Sequence, residues 1–443
     1  MQPHSSISAS KKRSSISTFS FDNLPAVLVL IALTIAVCAY GADTQLMSLT
    51  VSLLICFSLL CSVMFVREFK FSKFTIFLLL AWSLFSAVSY ILGRVEGAED
   101  EYLMLLTAIA VFQVGVYSGE DKHRFSSAWK LMLYIGGAFS AFSFFQHFLM
   151  PNTIFGVAKP YHFSRLTGTF LSSNSAATFL GVILILAFAQ FHRDWRRYGV
   201  NEFEKKLVRF FTVLPKSFVS IFVILFSTVC LLLTASRAGI ASTALAVFVF
   251  WGWTFLQGFK NHRGSGRSRL VGPTLIGLCL VAVMLFFWNL SGELAQARYE
   301  DLFVQLSDRA YMRQASFTAA QYKPWFGHGL GSLNEAKLLG VTPESNMSVM
   351  LQNASHNVVA QWLVQGGWVG LGFLSFVLLI ITRRVIVGMM HAKRLRTYNS
   401  AVFCIGLLVI THGMFDYALE VPAIMLFFSL IMGLGFGNAK LMN

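Results

Sequence analysis

Twelve separate apolar runs, each about long enough to cross a bilayer as a helix, constrain this chain more than any other feature. They lie near 24–40, 46–66, 74–92, 102–118, 128–150, 175–192, 217–235, 239–257, 271–290, 358–382, 400–416 and 421–438. A helical span needs about 20 apolar residues. Hydrocarbon offers no partner for backbone N–H and C=O groups, so runs of this length fold as helices. The expected fold class is an all-α integral membrane protein of about 12 transmembrane helices with one helical, outward-facing loop domain. Composition agrees: only 12% of residues are charged, about half the share in a soluble domain. The formal charge of +15 does not indicate nucleic acid, because the basic residues fall in short clusters between apolar spans. The six cysteines all lie inside apolar runs with no Cys-x-x-Cys pair, which argues against a disulfide framework or a zinc site.

Alternate loops of such a bundle share a side, and the cytoplasmic side collects Lys and Arg. One set of loops holds most of the 35 basic residues, among them Lys11 to Arg13, Arg193, Arg196, Arg197, Arg383 and Arg384. The opposite set holds most carboxylates, including Glu96, Glu99, Asp100 and Glu101. Both termini are therefore expected in the cytoplasm. The expected organisation is a disordered cytoplasmic tail over 1–20, nine spans over 21–290, an outward polar loop over 291–357, and three spans with a short cytoplasmic end over 358–443. No internal repeat is visible.

The outward side should be poor in cations, so the arginines expected there call for a reason. Arg165 lies in Arg165-Leu166-Thr167-Gly168-Thr169-Phe170, shortly before Asn174. Arg237 follows Thr234-Ala235-Ser236 at the junction of two long apolar runs. Arg309 and Arg313 are four apart, so they share a face of a helix ending before Pro324. His356 stands in Ser355-His356-Asn357 at the mouth of the tenth span. Planar guanidinium groups suit a phosphate or pyrophosphate and stabilise charge as such a group leaves. A neutral imidazole beside them can accept the proton of an attacking hydroxyl. No Asp/Glu cluster with metal-ligand spacing accompanies them. This points to group transfer at the outer face, with a lipid pyrophosphate as leaving group.

Each residue also has a structural reading: Arg237 as a snorkelling anchor, Arg165 as a loop charge, Arg309 and Arg313 as members of a solvated helix, and His356 as a cap. The glycines of Gly327-His328-Gly329-Leu330-Gly331 read as a turn needing positive φ. His412 and Asp416, one helical turn apart near the eleventh span, suit either a functional pair at membrane depth or a structural hydrogen bond.

Taken together, the sequence resembles the O-antigen ligase and O-antigen polymerase superfamily of bacterial multi-span proteins. The resemblance rests on Arg165 to Asn174, Thr234-Ala235-Ser236-Arg237 and Asp308-Arg309. It continues with Pro324-Trp325-Phe326-Gly327-His328-Gly329-Leu330-Gly331, Ser355-His356-Asn357 to Gly370, and His412-Gly413-Met414-Phe415-Asp416. It implies a metal-independent, inverting glycosyltransferase without a cofactor, in the bacterial inner membrane, using an undecaprenyl-diphosphate-linked glycan as donor. The acceptor implied is lipid A core for a ligase, or a growing glycan for a polymerase of O-antigen or exopolysaccharide. By the same resemblance Arg237 and Arg309 hold the pyrophosphate and His356 is a base or orients the acceptor hydroxyl. Arg165, Arg313 and Asn174 complete the expected substrate-binding set. One departure is His328, where a small or apolar residue is expected. A transporter or flippase for lipid-linked sugars is the rival reading. It fits twelve spans, but lacks the paired halves common in transporters, and a transporter would place its ionisable residues nearer mid-membrane.

Overall fold

The computed structural model describes residues 21–92, 99–160, 163, 165–198, 206–261, 282, 299–391 and 395–439. The tail over 1–20 and the ninth apolar run, 271–290, lie outside the described residues, apart from residue 282. The other eleven runs are helices, with boundaries near those expected. They are α1 (Leu24–Cys38), α2 (Gln45–Phe65), α3 (Lys73–Leu92), α4 (Glu99–Gly119), α5 (Lys122–Leu149), α6 (Ser173–Tyr198), α7 (Lys206–Leu233) and α8 (Arg237–Asn261). After α9 (Tyr299–Tyr322) and two short helices, α10 (Leu333–Ala336) and α11 (Asn346–Leu351), come α12 (Val358–His391), α13 (Arg396–Gly413) and α14 (Pro422–Asn438). Eight helices among the described residues are long and apolar enough to span a membrane. The protein is an all-α integral membrane protein. A single short hairpin, Thr153–Ile154 with Val157–Ala158, interrupts the helical pattern between α5 and α6.

The core sits on α6, whose membrane-length stretch is buried along its whole length. By contrast α2 and α3 present Leu53, Phe57, Leu80 and Leu84 outward, each more than half exposed, as suits a lipid-facing perimeter. The closest helix pair is α4 with α14, and small residues make it possible. A β-carbon at Gly115 would lie 2.4 Å from the Leu430 carbonyl oxygen, and one at Gly433 would lie 2.2 Å from that of Phe112. Gly119 and Gly437 repeat the arrangement one turn on. Two facing Gly-x-x-x-Gly stripes thus let the backbones touch, which in lipid drives association through van der Waals packing.

Between α9 and α12 the chain folds on itself. Met312, Ala315 and Ala319 of α9 bury against Leu333, Ala336, Val349, Leu363 and Val364 in a small separate core. The turn from Pro324 to Gly331 is spliced into a break in α12. His328 N–H donates to the Val364 carbonyl (2.7 Å) and Gly329 N–H to that of Gln365 (3.0 Å). In return Trp368 and Val369 donate to Pro324 and Trp325 (2.8 and 2.9 Å). Gly367 takes φ +59 in mid-helix, and a β-carbon there would meet the Trp325 carbonyl carbon at 2.5 Å. The expected positive φ appears at Gly327, Gly329 and Gly331. The turn is therefore a backbone splice, and His328 serves it by contacting the Ala319 carbonyl through Nε2 (2.9 Å).

Candidate functional site

Contacts between distant loops gather alternate helix connections at one end of the bundle. Thr169 of the α5–α6 loop donates to the Val37 carbonyl at the end of α1 (2.5 Å). Leu166 N–H donates to the Leu233 carbonyl at the end of α7 (3.0 Å), and Gly331 N–H to the Glu101 carboxylate at the start of α4 (2.9 Å). Arg309 and His356 both reach Asp416, after α13.

The α7–α8 elbow shows how local sequence sets this end. Ala235 adopts φ +50, and the Ser236 hydroxyl accepts from Gly239 N–H (3.3 Å), capping α8. Arg237 is the first residue of that helix. A β-carbon at Gly239 would lie 2.6 Å from Ala177 and 3.4 Å from His412 Cε1, so the elbow lies against α6 and α13. Arg165 braces it. Its Nε donates to the Thr234 carbonyl (2.7 Å) and its Nη2 to Asn174 Oδ1 (3.4 Å).

The end of the polar loop is held as tightly. Asn357 Oδ1 accepts from Ala360 N–H (2.9 Å), capping α12, and its Nδ2 donates to the Met414 carbonyl (2.9 Å). Gln361 Oε1 accepts from Ser355 N–H (3.1 Å) and Ser355 Oγ (2.7 Å). Between these two clamps His356 takes φ +50, a conformation costing a side-chain-bearing residue about 1 kcal/mol or more.

Asp416, 1% exposed, is where the charges meet. Its Oδ2 lies 3.5 Å from Arg309 Nη2 and its Oδ1 lies 3.7 Å from His356 Nδ1. The histidine contact is longer than an ordinary hydrogen bond. Burial alone would raise the Asp416 carboxyl; the His356 and His412 imidazoles and the Arg309 guanidinium prevail and hold it down at about 2. His412 is fully buried, with Nδ1 2.5 Å from the Thr178 hydroxyl. Arg309 Nη1 also donates to the Phe415 carbonyl (3.3 Å). Both Arg309 contacts are long, and a guanidinium with five donors retains others.

Arg309, His356 and Asn174 line one cavity of about 880 Å³. Arg165, Arg237 and Arg313 do not line it, although Arg165 holds Asn174 and Arg313 lies one turn along α9 from Arg309. The walls change character along the helices. Many polar residues come from helix ends or the loops beside them, Asp43, Glu101, Asn174, Gln361 and Glu420, and Asp308 joins them from α9. Apolar ones come from helix interiors, such as Phe112, Val377, Ile381 and Met432. From Glu101 to Phe112 is 11 residues of α4, about 16 Å at 1.5 Å per residue.

Residues 221–377 match the family model described as O-antigen ligase. Over that stretch the chain is similar to the O-antigen ligase family. None of the curated proteins matches the chain. The matched stretch begins in α7 and ends within α12, so it includes Arg237, Arg309, Arg313 and His356. Arg165, Asn174 and Asp416 lie outside it and pack against its elements. Asp416 is the residue that reading the sequence valued least. Its signals were proximity to His412 and a place in the stretch His412-Gly413-Met414-Phe415-Asp416, and nothing along the chain tied it to Arg309 or His356.

Proposed function

We propose that the protein transfers a glycan from a lipid diphosphate, of the undecaprenyl type, to an acceptor hydroxyl at the outer face of the bacterial inner membrane, as an O-antigen ligase with lipid A core as acceptor. The observation that supports this most is the pairing of Arg309 and His356 across buried Asp416, at the polar end of a cavity whose other end is apolar. A diphosphate with a sugar on one side and a hydrocarbon chain on the other has the same gradient.

In this reading the donor diphosphate takes the remaining Arg309 donors, with Arg237 as a second cation and Arg165, Arg313 and Asn174 in support. The acceptor oxygen bonds to the anomeric carbon as the bond from that carbon to the phosphate oxygen breaks. The lipid diphosphate leaves with the electron pair, and the hydroxyl proton passes to His356. A single displacement of this kind inverts the anomeric carbon. Asp416 stabilises the imidazolium and holds Arg309 in place. No step needs a metal ion in this scheme.

The test is reconstitution in liposomes with undecaprenyl-diphosphate glycan and lipid A core. The wild type should extend the core, whereas Arg237→Ala and Arg309→Ala should abolish transfer while the protein stays folded. Transfer surviving in both variants would reject the assignment. Product ladders from donor alone would instead identify a polymerase.

A further inference from the structure

The cavity that Arg309 and His356 line also holds a different kind of group. Gln365 Nε2 donates to Glu101 Oε2 (3.0 Å), which also accepts from Gly331 N–H (2.9 Å). These bonds hold Glu101 and Gln365 together. Gln361 is fixed in turn by its two bonds from Ser355. Among the described residues, Glu101 Oε1, Gln365 Oε1, Gln361 Nε2 and the Glu420 carboxyl take no protein hydrogen bond, and all four residues line the cavity. Glu420 faces Glu101 closely enough to feel its charge; burial first, and that neighbour second, push its carboxyl up to about 8. At neutral pH it is an acid with a proton to donate. Trp82, packed on Tyr102 with ring centroids 6.0 Å apart, adds an aromatic surface to the same wall.

Donors and acceptors thus alternate over one rigid surface beside an aromatic ring. Phosphate oxygens need donors only, and Glu101 would repel them. A sugar hydroxyl both donates and accepts. We infer that Glu101, Glu420, Gln361 and Gln365, with Trp82, form a subsite for an uncharged, hydroxyl-rich sugar residue, in the same cavity as Arg309 and His356 but of different chemistry. This rests on the transferase reading for its place in a reaction, but not for the binding itself. The sugar comes either from the acceptor or from the glycan carried by the donor.

The binding test uses the full-length protein in lipid nanodiscs with dodecyl maltoside, an uncharged disaccharide on an alkyl chain, against dodecyl phosphate as the charged control. Dodecyl maltoside should quench tryptophan fluorescence saturably. Glu420→Leu should weaken it about 2- to 10-fold, the worth of one hydrogen bond, while Glu420→Gln restores wild-type binding. Dodecyl phosphate binding should be unchanged by either variant. In the transfer assay Glu420→Leu should raise KM with kcat retained. A rise for the lipid A core marks an acceptor subsite, and a rise for the lipid diphosphate marks a donor-glycan subsite. Equal maltoside binding by wild type and a folded Glu420→Leu protein would overturn the inference, as would equal losses for maltoside and phosphate. Selective loss of maltoside binding in a protein that transfers nothing would uphold the subsite and reject the transferase reading.

Discussion

Asp416 combines near-complete burial with an arginine and a histidine drawn from distant parts of the chain, and this makes it the most sensitive position to change. Asp416→Asn keeps the shape and removes the charge. It should cost about 1–3 kcal/mol of stability, discounted because Arg309 is 29% exposed, and should reduce transfer at least about 100-fold. Thermal unfolding and the liposome assay would measure the two effects separately. Glu420 should behave oppositely with pH. Its folded carboxyl, at about 8, binds a proton that the unfolded carboxyl releases near 4.3. Stability should therefore fall as pH rises from about 4.3 to about 8 and then level off. Glu420→Gln removes this dependence, so its unfolding temperature should gain on the wild type between pH 5 and pH 9. At this scale the sequence offered the arginines and His356 as candidates by residue type and expected side, of which Arg309 and His356 line the cavity, but it did not show their partners. A hydrogen bond such as that of Arg165 to the Thr234 carbonyl leaves no mark in residue type.

Helix positions were legible because hydrocarbon leaves so few alternatives, and each described apolar run became a helix. How the helices pair was written less plainly. Gly115-x-x-x-Gly119 and Gly433-x-x-x-Gly437 are both present in the sequence, but neither says that the other is its partner. The prediction here is steric. Gly433→Leu places a side chain where the Phe112 carbonyl already lies 2.2 Å from a β-carbon position. It should cost about 3 kcal/mol and separate α4 from α14, read as a lower unfolding temperature in detergent. The splice at Gly367 was harder still to foresee. Its glycine reads as one of several in Gly366-Gly367-Trp368-Val369-Gly370, and the break in α12 exists only because the Pro324 turn donates to and accepts from the helix at that point.

Across the whole molecule, the charge distribution predicts which side each end faces. With native cysteines replaced, Met347→Cys, at a residue 78% exposed near α11, should react with an impermeant maleimide on intact spheroplasts. His391→Cys, at the far end of α12, should react only after permeabilisation. The reverse pattern would invert the proposed orientation. The cavity carries a further consequence for kinetics. Because its apolar stretch runs along the helix interiors, the proposed lipid donor would fill it from the bilayer and not from water. The quantity governing occupancy is then the mole fraction of that lipid in the surrounding leaflet. Diluting proteoliposomes with buffer should leave the turnover rate unchanged, whereas enlarging each vesicle with inert phospholipid should slow it in proportion.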